Sequence, residues 1–271
     1  MRILYLDLNC GVAGDMMCAA LYDLLSDEKR AEFIEKMNSL YDGVKISTSE
    51  VPRGGVSAVK YTVDIHGVIE GENDHHHHHE EHHGHHHHHH HRSMSEVLSI
   101  IDGFDLDNKV KEDVKGIYSM IAEAESLVHG ESVTEIHFHE VGMLDAIFDV
   151  TGCALAMNML EIDAVFATDI VTGFGTVHCS HGELSVPAPA TANLLEGMPT
   201  KPGDIKSERC TPTGAALARY YVNDFIDIPV MSLEDLGFGA GSKEFEGSIS
   251  CVKAILGELN LDIVPNCEEI G

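Results

Sequence analysis

The chain of 271 residues is 44% apolar and 23% charged, and its formal net charge is −28. This composition predicts a folded globular protein, and its apolar runs fall short of the ~20 residues that a membrane-spanning helix needs. The excess of carboxylates argues against nucleic-acid and membrane partners and favours metal ions, although acidity also aids solubility alone.

The N-terminal quarter of the chain predicts three strands and a helix. Residues 3–8 are a short apolar run of β type, and a glycine-containing turn leads to an apolar helix over residues 16–25. A second strand is expected at residues 44–51, ending at Pro52, and a third at residues 58–66.

A histidine-rich segment, DHHHHHEEHHGHHHHHHHR, follows at residues 74–92 and holds 14 of the 20 histidines. An affinity tag is usually a terminal, unbroken run, whereas this segment is internal and interrupted, so we interpret it as native and metal-directed. Residues 71–93 have almost no apolar content to offset the cost of ordering, and we expect a disordered inserted loop. Its candidate metal ligands are His75, His76, His77, His85 and His86.

The middle of the chain is predicted to be largely helical. Helices are expected at residues 95–101 and 108–129, forming a hairpin, then a short strand at 135–141 and a helix at 144–160. One apolar stripe marks the second helix: Val110, Val114, Ile117, Ile121 and Ala124.

The C-terminal half predicts two strands, at residues 164–171 and 176–186, followed by two capped helices. Thr191 can cap a short helix that ends at Gly197, and Thr211 can cap another that has a proline at its first position. Further on, LGFGAGS suggests a glycine-rich turn with positive φ angles.

This alternation of short strands and helices predicts an α/β or α+β fold with a mixed sheet and flanking helices. We expect a folded region over residues 1–256, interrupted by the histidine loop, and a tail over residues 257–271. The seven cysteines include no CxxC pair, which argues against a disulfide framework and a structural zinc site. The start of the sequence lacks the pattern of a secretion signal, so a cytoplasmic location is expected.

The first motif with chemical potential is DLNCGVAGDM. Asp7 lies at the end of a predicted strand and Asp15 at a helix start, with a glycine turn between them. Carboxylate oxygens beside backbone N–H groups suit a cation, a phosphate or both. The alternative is that Asp15 is an ordinary N-cap.

The second motif, IHFHEVGMLDAIFDV, combines imidazoles and carboxylates. His137 and His139 share one face of a strand, and Asp145 and Asp149 share one face of a helix. Together with Glu140 they predict a site for a divalent transition metal, since imidazole suits nickel, zinc or iron. A single histidine would more often be a satisfied polar residue.

Two further motifs follow in the chain. In TVHCSHGELSVPAPAT, His178 and His181 flank a cysteine and offer a nickel environment, although an incidental exposed turn fits almost as well. In RCTPTGAAL, a helix start with Arg209, Thr211 and small residues predicts an anion site, or simply a capped helix.

These segments together resemble, in order and over residues 1 to about 256, the family of nickel insertion proteins of the lactate racemase cofactor system. The matching segments are DLNCGVAGDM, the histidine-rich insertion, IHFHEVGMLDAIFDVTG, HGELSVPAPAT, TPTGAAL and GFGAG.

The resemblance implies a nickel chelatase, classed as a lyase, that inserts Ni²⁺ into pyridinium-3,5-bisthiocarboxylic acid mononucleotide. CTP and Mg²⁺ or Mn²⁺ are implied as further requirements, and the product is the nickel-pincer nucleotide of lactate racemase-type enzymes. Family members continue past the point where this chain ends, and that additional part carries their CTP site. A separate C-terminal CTP-binding polypeptide and a nickel-pincer-dependent apoenzyme are therefore expected partners. A homo-oligomer is a separate expectation.

With this resemblance the motifs receive roles. We expect catalytic roles for His139, Glu140 and Asp145, with the removal of a ring proton assigned either to a carboxylate or to His139. The metal ligands are expected to be Asp7, Asp15, His137, His139, Asp149, His178, His181 and the loop histidines. The ligand's phosphate is assigned to Arg209, Thr211, Thr213 and Gly214.

The main alternative is a nickel storage protein or metallochaperone without catalysis. A zinc-dependent hydrolase is disfavoured because the sequence has no HExxH motif or comparable three-ligand spacing.

Overall fold

A computed structural model describes residues 1–69, 92–138, 141–179, 182–245 and 250–259. Within these ranges the chain forms seven helices and fourteen strands. The helices are α1 (Gly14–Asp23), α2 (Asp27–Ser39), α3 (Met94–Gly103), α4 (Asn108–His129), α5 (Leu144–Leu160), α6 (Pro189–Leu194) and α7 (Pro212–Tyr221). The strands are β1 (Arg2–Asp7), β2 (Val44–Arg53), β3 (Val56–Ile65), β4 (Val68–Ile69), β5 (Arg92–Ser93), β6 (His137–Phe138), β7 (Ala164–Ala167), β8 (Ile170–Val171), β9 (Thr176–Cys179), β10 (Gly182–Ser185), β11 (Thr200–Lys201), β12 (Asp224–Phe225), β13 (Met231–Ala240) and β14 (Cys251–Leu259).

Eight of the described strands form one mixed sheet. The order across it is β12, β7, β1, β14, β13, β3 and β2, with β4 paired to β3. Strand β1, in the interior of the sheet, is parallel to β7 and antiparallel to β14. The predicted class, a mixed sheet with flanking helices, is confirmed.

The helical part of the prediction is largely confirmed. Helices α4 and α5 begin and end at the predicted residues, and α3 packs against α4 as the predicted hairpin. All five residues of the predicted α4 stripe are buried, none with more than 4% of its surface exposed. The buried face of α4 therefore follows from apolar residues that recur with the 3.6-residue period of a helix.

The glycine-rich segment LGFGAGS is not a turn, because most of it belongs to strand β13. Neither Gly237 nor Gly239 has a positive φ angle. A Cβ atom on Gly237 would lie 2.2 Å from the backbone oxygen of Ala20, and one on Gly239 would lie 1.9 Å from that of Met16. These glycines are needed because helix α1 lies directly against the strand.

Two elements in the N-terminal part differ from the prediction. Helix α2 was not predicted, because only Phe33 and Met37 of its thirteen residues are buried and its apolar periodicity is weak. Its start does carry a signal, since the Ser26 side chain accepts a hydrogen bond from the Lys29 backbone N–H. Strand β2 continues through Pro52, which an edge strand tolerates because one side of its ladder is unpaired.

Three expectations in the C-terminal half were wrong. Residues 164–171 form two short strands, β7 and β8, and residues 176–186 contain the hairpin of β9 and β10. Thr191 does not cap α6, whose N-cap is Ala188, and its buried hydroxyl has no hydrogen-bond partner in the described structure. Thr211 does cap α7, by accepting a hydrogen bond from the Gly214 N–H, as predicted.

The histidine loop at residues 71–91 lies outside the described residues, as do the tail residues 260–271. At the end of the loop, Arg92 and Ser93 form β5 and pair with β6, whereas disorder was expected there. None of the helices in the described ranges combines the length and apolar character needed to cross a bilayer.

Candidate functional site

A cavity of about 770 Å³ opens where the first turns of helices α1, α5 and α7 meet. Gly14 and Asp15 line it from α1, Asp145 and Asp149 from α5, and Thr213 from α7. The first N–H groups of a helix have no partner within the helix, and the helix dipole places partial positive charge there. Three such ends around one cavity create an environment suited to an anionic ligand.

The first and fourth sequence motifs lie directly against each other at this cavity. The Val12 N–H donates to the Arg209 backbone oxygen over 2.8 Å, and the Thr211 N–H donates to the Val12 oxygen over 3.1 Å. A Cβ atom on Gly11 would lie 2.0 Å from that Arg209 oxygen, and one on Gly214 would lie 2.3 Å from the Val12 oxygen. Glycine at both positions is therefore what permits this contact.

Asp149 of helix α5 also lies at the contact between the first and fourth motifs. A Cβ atom on Gly14 would lie 2.9 Å from the Cβ of Asp149 and 3.1 Å from the Thr213 Oγ1. The Thr213 hydroxyl is in turn 3.0 Å from that of Thr211. A carboxylate and two hydroxyls thus surround the start of α1.

Asp15 is not the N-cap of α1, which is Ala13. Its Oδ1 accepts a hydrogen bond from the Met16 N–H over 2.8 Å, within the first turn. Burial raises the pKa of this carboxyl to about 6, although the Met16 N–H and the Lys60 ammonium partly oppose the shift. At neutral pH the group is ionised, yet more basic than an exposed carboxylate.

Asp145, the other α5 carboxylate, has an unsatisfied oxygen. Its Oδ1 atom is buried and has no hydrogen-bond partner in the described structure. A buried acceptor left unpaired is costly, so a cation or a donor from a bound ligand would stabilise it. Of the predicted catalytic residues, this is the one that the described cavity contains.

The cavity also holds positive charge. The Arg209 side chain donates to the Cys10 backbone oxygen, and its guanidinium lies 4.3 Å from the ring centroid of Phe245. Desolvation lowers the pKa of Arg209, but a guanidinium remains charged at neutral pH. Lys60 on β3 and Lys243 contribute two further cations.

Several cavity residues were missed by reasoning from the sequence. Glu125 and His129, one turn apart at the end of α4, approach to 3.5 Å between Oε2 and Nε2. Lys60 and Phe245 lie in a strand and a loop that no motif marked. Only the Glu125 and His129 pair had a local signal, its spacing of four residues.

Three predicted ligands lie outside the cavity lining. Asp7 ends β1 and accepts hydrogen bonds from the backbone and side-chain nitrogens of Asn9, at 3.1 and 2.7 Å. His137 is exposed on β6 opposite Ser93. His178 is exposed on β9, while its neighbour Cys179 lines the cavity, as expected from the alternation along a strand.

The remaining predicted ligands and catalytic residues lie outside the described residues. They are His139, Glu140, His181 and the loop histidines His75, His76, His77, His85 and His86. Among the residues that the structure describes, no three His, Cys, Asp or Glu side chains are grouped closely enough to hold a metal ion.

The chain matches the family model described as "Nickel insertion protein" over residues 4–269. It belongs to this family. It is 37% identical over 258 residues to the pyridinium-3,5-bisthiocarboxylic acid mononucleotide nickel insertion protein of Geobacillus kaustophilus, a match that covers 95% of this chain and 60% of that relative. It is 39% identical over 249 residues to the protein of the same name from Clostridium kluyveri, covering 91% of this chain and 60% of the relative.

The nickel insertion protein family thus includes relatives considerably longer than the part matched here. The chain spans about 60% of the length of these curated relatives. No solved structure matches the chain.

Proposed function

We propose that this chain is the nickel-loading portion of an enzyme that inserts Ni²⁺ into pyridinium-3,5-bisthiocarboxylic acid mononucleotide. The product would be the nickel-pincer nucleotide used by lactate racemase-type enzymes. The observation that carries the proposal is one cavity that combines three helix N-termini and three cations with five carboxylates. Such a cavity has donors for a nucleotide phosphate and oxygen ligands for a metal ion in the same place. The names of the relatives from Geobacillus kaustophilus and Clostridium kluyveri support the identity of the substrate.

The phosphate of the mononucleotide is assigned to the start of α7. Thr211, Thr213 and the Gly214 backbone lie at this helix end, and Arg209 supplies a charge-assisted donor beside it. The close contact with the loop before α1 fixes this arrangement before any ligand arrives. Binding energy is then not spent on ordering the site.

The carboxylates Asp15, Asp145 and Asp149 are assigned to the metal side of the cavity. These three carboxylates are not grouped closely enough to hold an ion by themselves, so Mg²⁺ or Mn²⁺ would be held by one or two of them together with phosphate or water oxygens. The unpaired buried oxygen of Asp145 favours a cation at that end. Nickel, the substrate ion, also accepts imidazole and thiolate, so His139, His181 and Cys179 are proposed as its further ligands.

Forming a carbon–nickel bond requires loss of a proton from the pyridinium ring. A carboxylate in the cavity can accept this proton, and Asp15, with a pKa of about 6, is a stronger base than an exposed aspartate. Asp145, Glu140 and His139 are the other proposed bases. The hydrogen bond from the Met16 N–H would hold the Asp15 carboxylate in place during the transfer.

CTP, a C-terminal CTP-binding polypeptide and an apoenzyme that receives the product complete the proposal. The chain spans about 60% of its relatives' length, which supports a contribution from a further polypeptide. The six described cysteines are free thiols, which supports a reducing compartment such as the cytoplasm. The histidine loop is proposed to deliver nickel and to take no part in the chemistry.

An insertion assay tests the proposal against nickel storage. The purified chain would be incubated with the mononucleotide, Ni²⁺, Mg²⁺ or Mn²⁺ and CTP, with and without the unmatched part of the Clostridium kluyveri relative, and the product followed by mass spectrometry. A variant lacking residues 75–91 should still form product at high nickel concentration, whereas Asp145→Asn should lose it. If no combination forms product and the deletion removes all nickel binding, the chain is a store.

A further inference from the structure

In the part of the chain that the structure describes, the helices that pack on the large sheet lie against one of its faces. Helix α1 contacts β13, β3 and β14, α5 contacts β3, α2 contacts β2, and both α1 and α2 contact α5. Gly237 and Gly239 face α1. Side chains alternate along a strand, so Leu236 and Phe238 point to the opposite face, which we call the outer face.

One segment without regular secondary structure, residues 226–230, crosses the outer face. It leaves β12 beside the C-terminal end of β7, where the Ile226 N–H donates to the Ala167 oxygen. It then passes Tyr5 of β1, whose hydroxyl donates to the Ile226 oxygen over 3.0 Å. It reaches β13 at Met231, opposite Leu259 at the far end of the sheet.

The crossing segment and the adjoining part of β13 expose an unusual number of large apolar side chains. Ile228 is 50% exposed, Val230 63% and Leu233 57%, and Ile226 and Leu236 are also exposed. Leu233 and Leu236 lie opposite Gly257 and Ile255 of β14, and so on the same face. We call these five residues, which lie along the crossing segment and the adjoining part of β13, the apolar strip. Exposed apolar side chains concentrated in this way are typical of an interaction surface.

The charges around the strip select the kind of partner. Every charged residue between positions 223 and 236 is acidic, and all of them are exposed: Asp224, Asp227, Glu234 and Asp235. Exposed Glu258 adds a fifth carboxylate on β14. Two cations adjoin them: Arg2 lies opposite Glu258 and 3.5 Å from Glu234, and Lys253 lies opposite Phe238. The rim thus has an excess of acidic groups. A second copy of the chain would bring two acidic rims together, in a molecule that already carries a net charge of −28. Residues 260–271 are acidic too and contain no lysine or arginine.

We propose that the apolar strip is the docking surface for the remaining part of the relatives' length, present as a continuation or as a separate polypeptide. About 40% of each curated relative lies outside its match to this chain. That part is expected to present an apolar face with a basic rim. The proposal does not depend on the nickel insertion reaction, because it concerns binding alone.

The test measures binding between the full 271-residue chain and the unmatched part of the Geobacillus kaustophilus relative, whose folding is first checked by circular dichroism. Isothermal titration calorimetry at two salt concentrations should show binding that weakens as salt rises. The double variant Ile228→Glu with Val230→Glu should weaken binding at least tenfold. The control Leu127→Glu changes a residue that is 72% exposed on α4 and should bind as the wild type does.

Four outcomes would overturn the proposal. In the first, the folded partner does not bind the chain. In the second, the double variant binds the partner as tightly as the wild type does. In the third, the wild type is a dimer and the double variant is a monomer, which would show that the strip is a dimer interface. The fourth is a variant ending at Leu259 that binds a fluorescent apolar dye strongly when the full chain does not. That result would show that residues 260–271 cover the strip.

Discussion

Asp15 should destabilise the folded protein at neutral pH, so that Asp15→Asn is more stable than the wild type. Burial raises the pKa of this carboxyl from 3.8 to about 6. The folded state therefore binds the proton more tightly than the unfolded state does, and stability falls as pH rises from about 3.8 through about 6. A difference of about two pH units corresponds to about 3 kcal/mol. Asparagine keeps the acceptor for the Met16 N–H but carries no charge.

Chemical unfolding in urea, with a chelator present to remove metal ions, measures this effect. Asp15→Asn should raise the free energy of unfolding by up to about 3 kcal/mol at pH 7.5 and by about half as much at pH 5, where the folded wild type is mostly protonated. Asp42→Asn, at an exposed position, should change it by less than about 0.5 kcal/mol at both pH values. A gain that is equal at the two pH values, or a loss at pH 7.5, would refute the reasoning.

Three further predictions concern packing and the cavity. Gly239→Ala should lower the free energy of unfolding in urea by more than about 2 kcal/mol, because the new Cβ would meet the α1 backbone. Gly103 has open space around it, so Gly103→Ala should keep this free energy within about 1 kcal/mol of the wild type. Thr211→Ala should lower the free energy of unfolding by about 1 kcal/mol, because the helix cap is lost, and should also weaken mononucleotide binding in calorimetry. Ser26 caps α2, away from the cavity, so Ser26→Ala should lower stability alone. In a background lacking residues 75–91, Asp145→Asn should weaken Mn²⁺ binding at least tenfold in a calorimetric titration. The melting temperature should not fall, because the affected oxygen accepts no hydrogen bond in the described structure. A lower melting temperature with unchanged Mn²⁺ binding would assign Asp145 a structural role.

Local sequence patterns predicted the elements whose burial has a regular period. Helix α4 was found because its apolar residues repeat along one face, and α7 because Thr211 and a following proline mark its start. Helix α2 was missed because it buries only two side chains. The glycines of β13 were misread because their role is a close contact with a helix more than 200 positions earlier, which no local pattern encodes.

The candidate site was predictable in its parts but not in its assembly. Asp15, Asp145, Asp149 and the start of α7 were singled out by motif chemistry, and the fold brings them to one cavity. Strand alternation also predicted that residues two apart share a face, but not which face lies inward: on β6 the buried residue is Phe138, and His137 is exposed. Lys60 depends wholly on the position of β3 in the sheet, which the sequence does not reveal.

The position of β1 within the sheet also bears on synthesis by the ribosome. The first strand made is paired on one side with β7 and on the other with β14, whose last residue is Leu259. Until that residue has left the ribosomal tunnel, β1 has an unpaired edge that is apolar on both faces. Nascent chains that stop short of β14 should therefore depend on chaperones, and a ribosomal pause before residue 259 should increase aggregation.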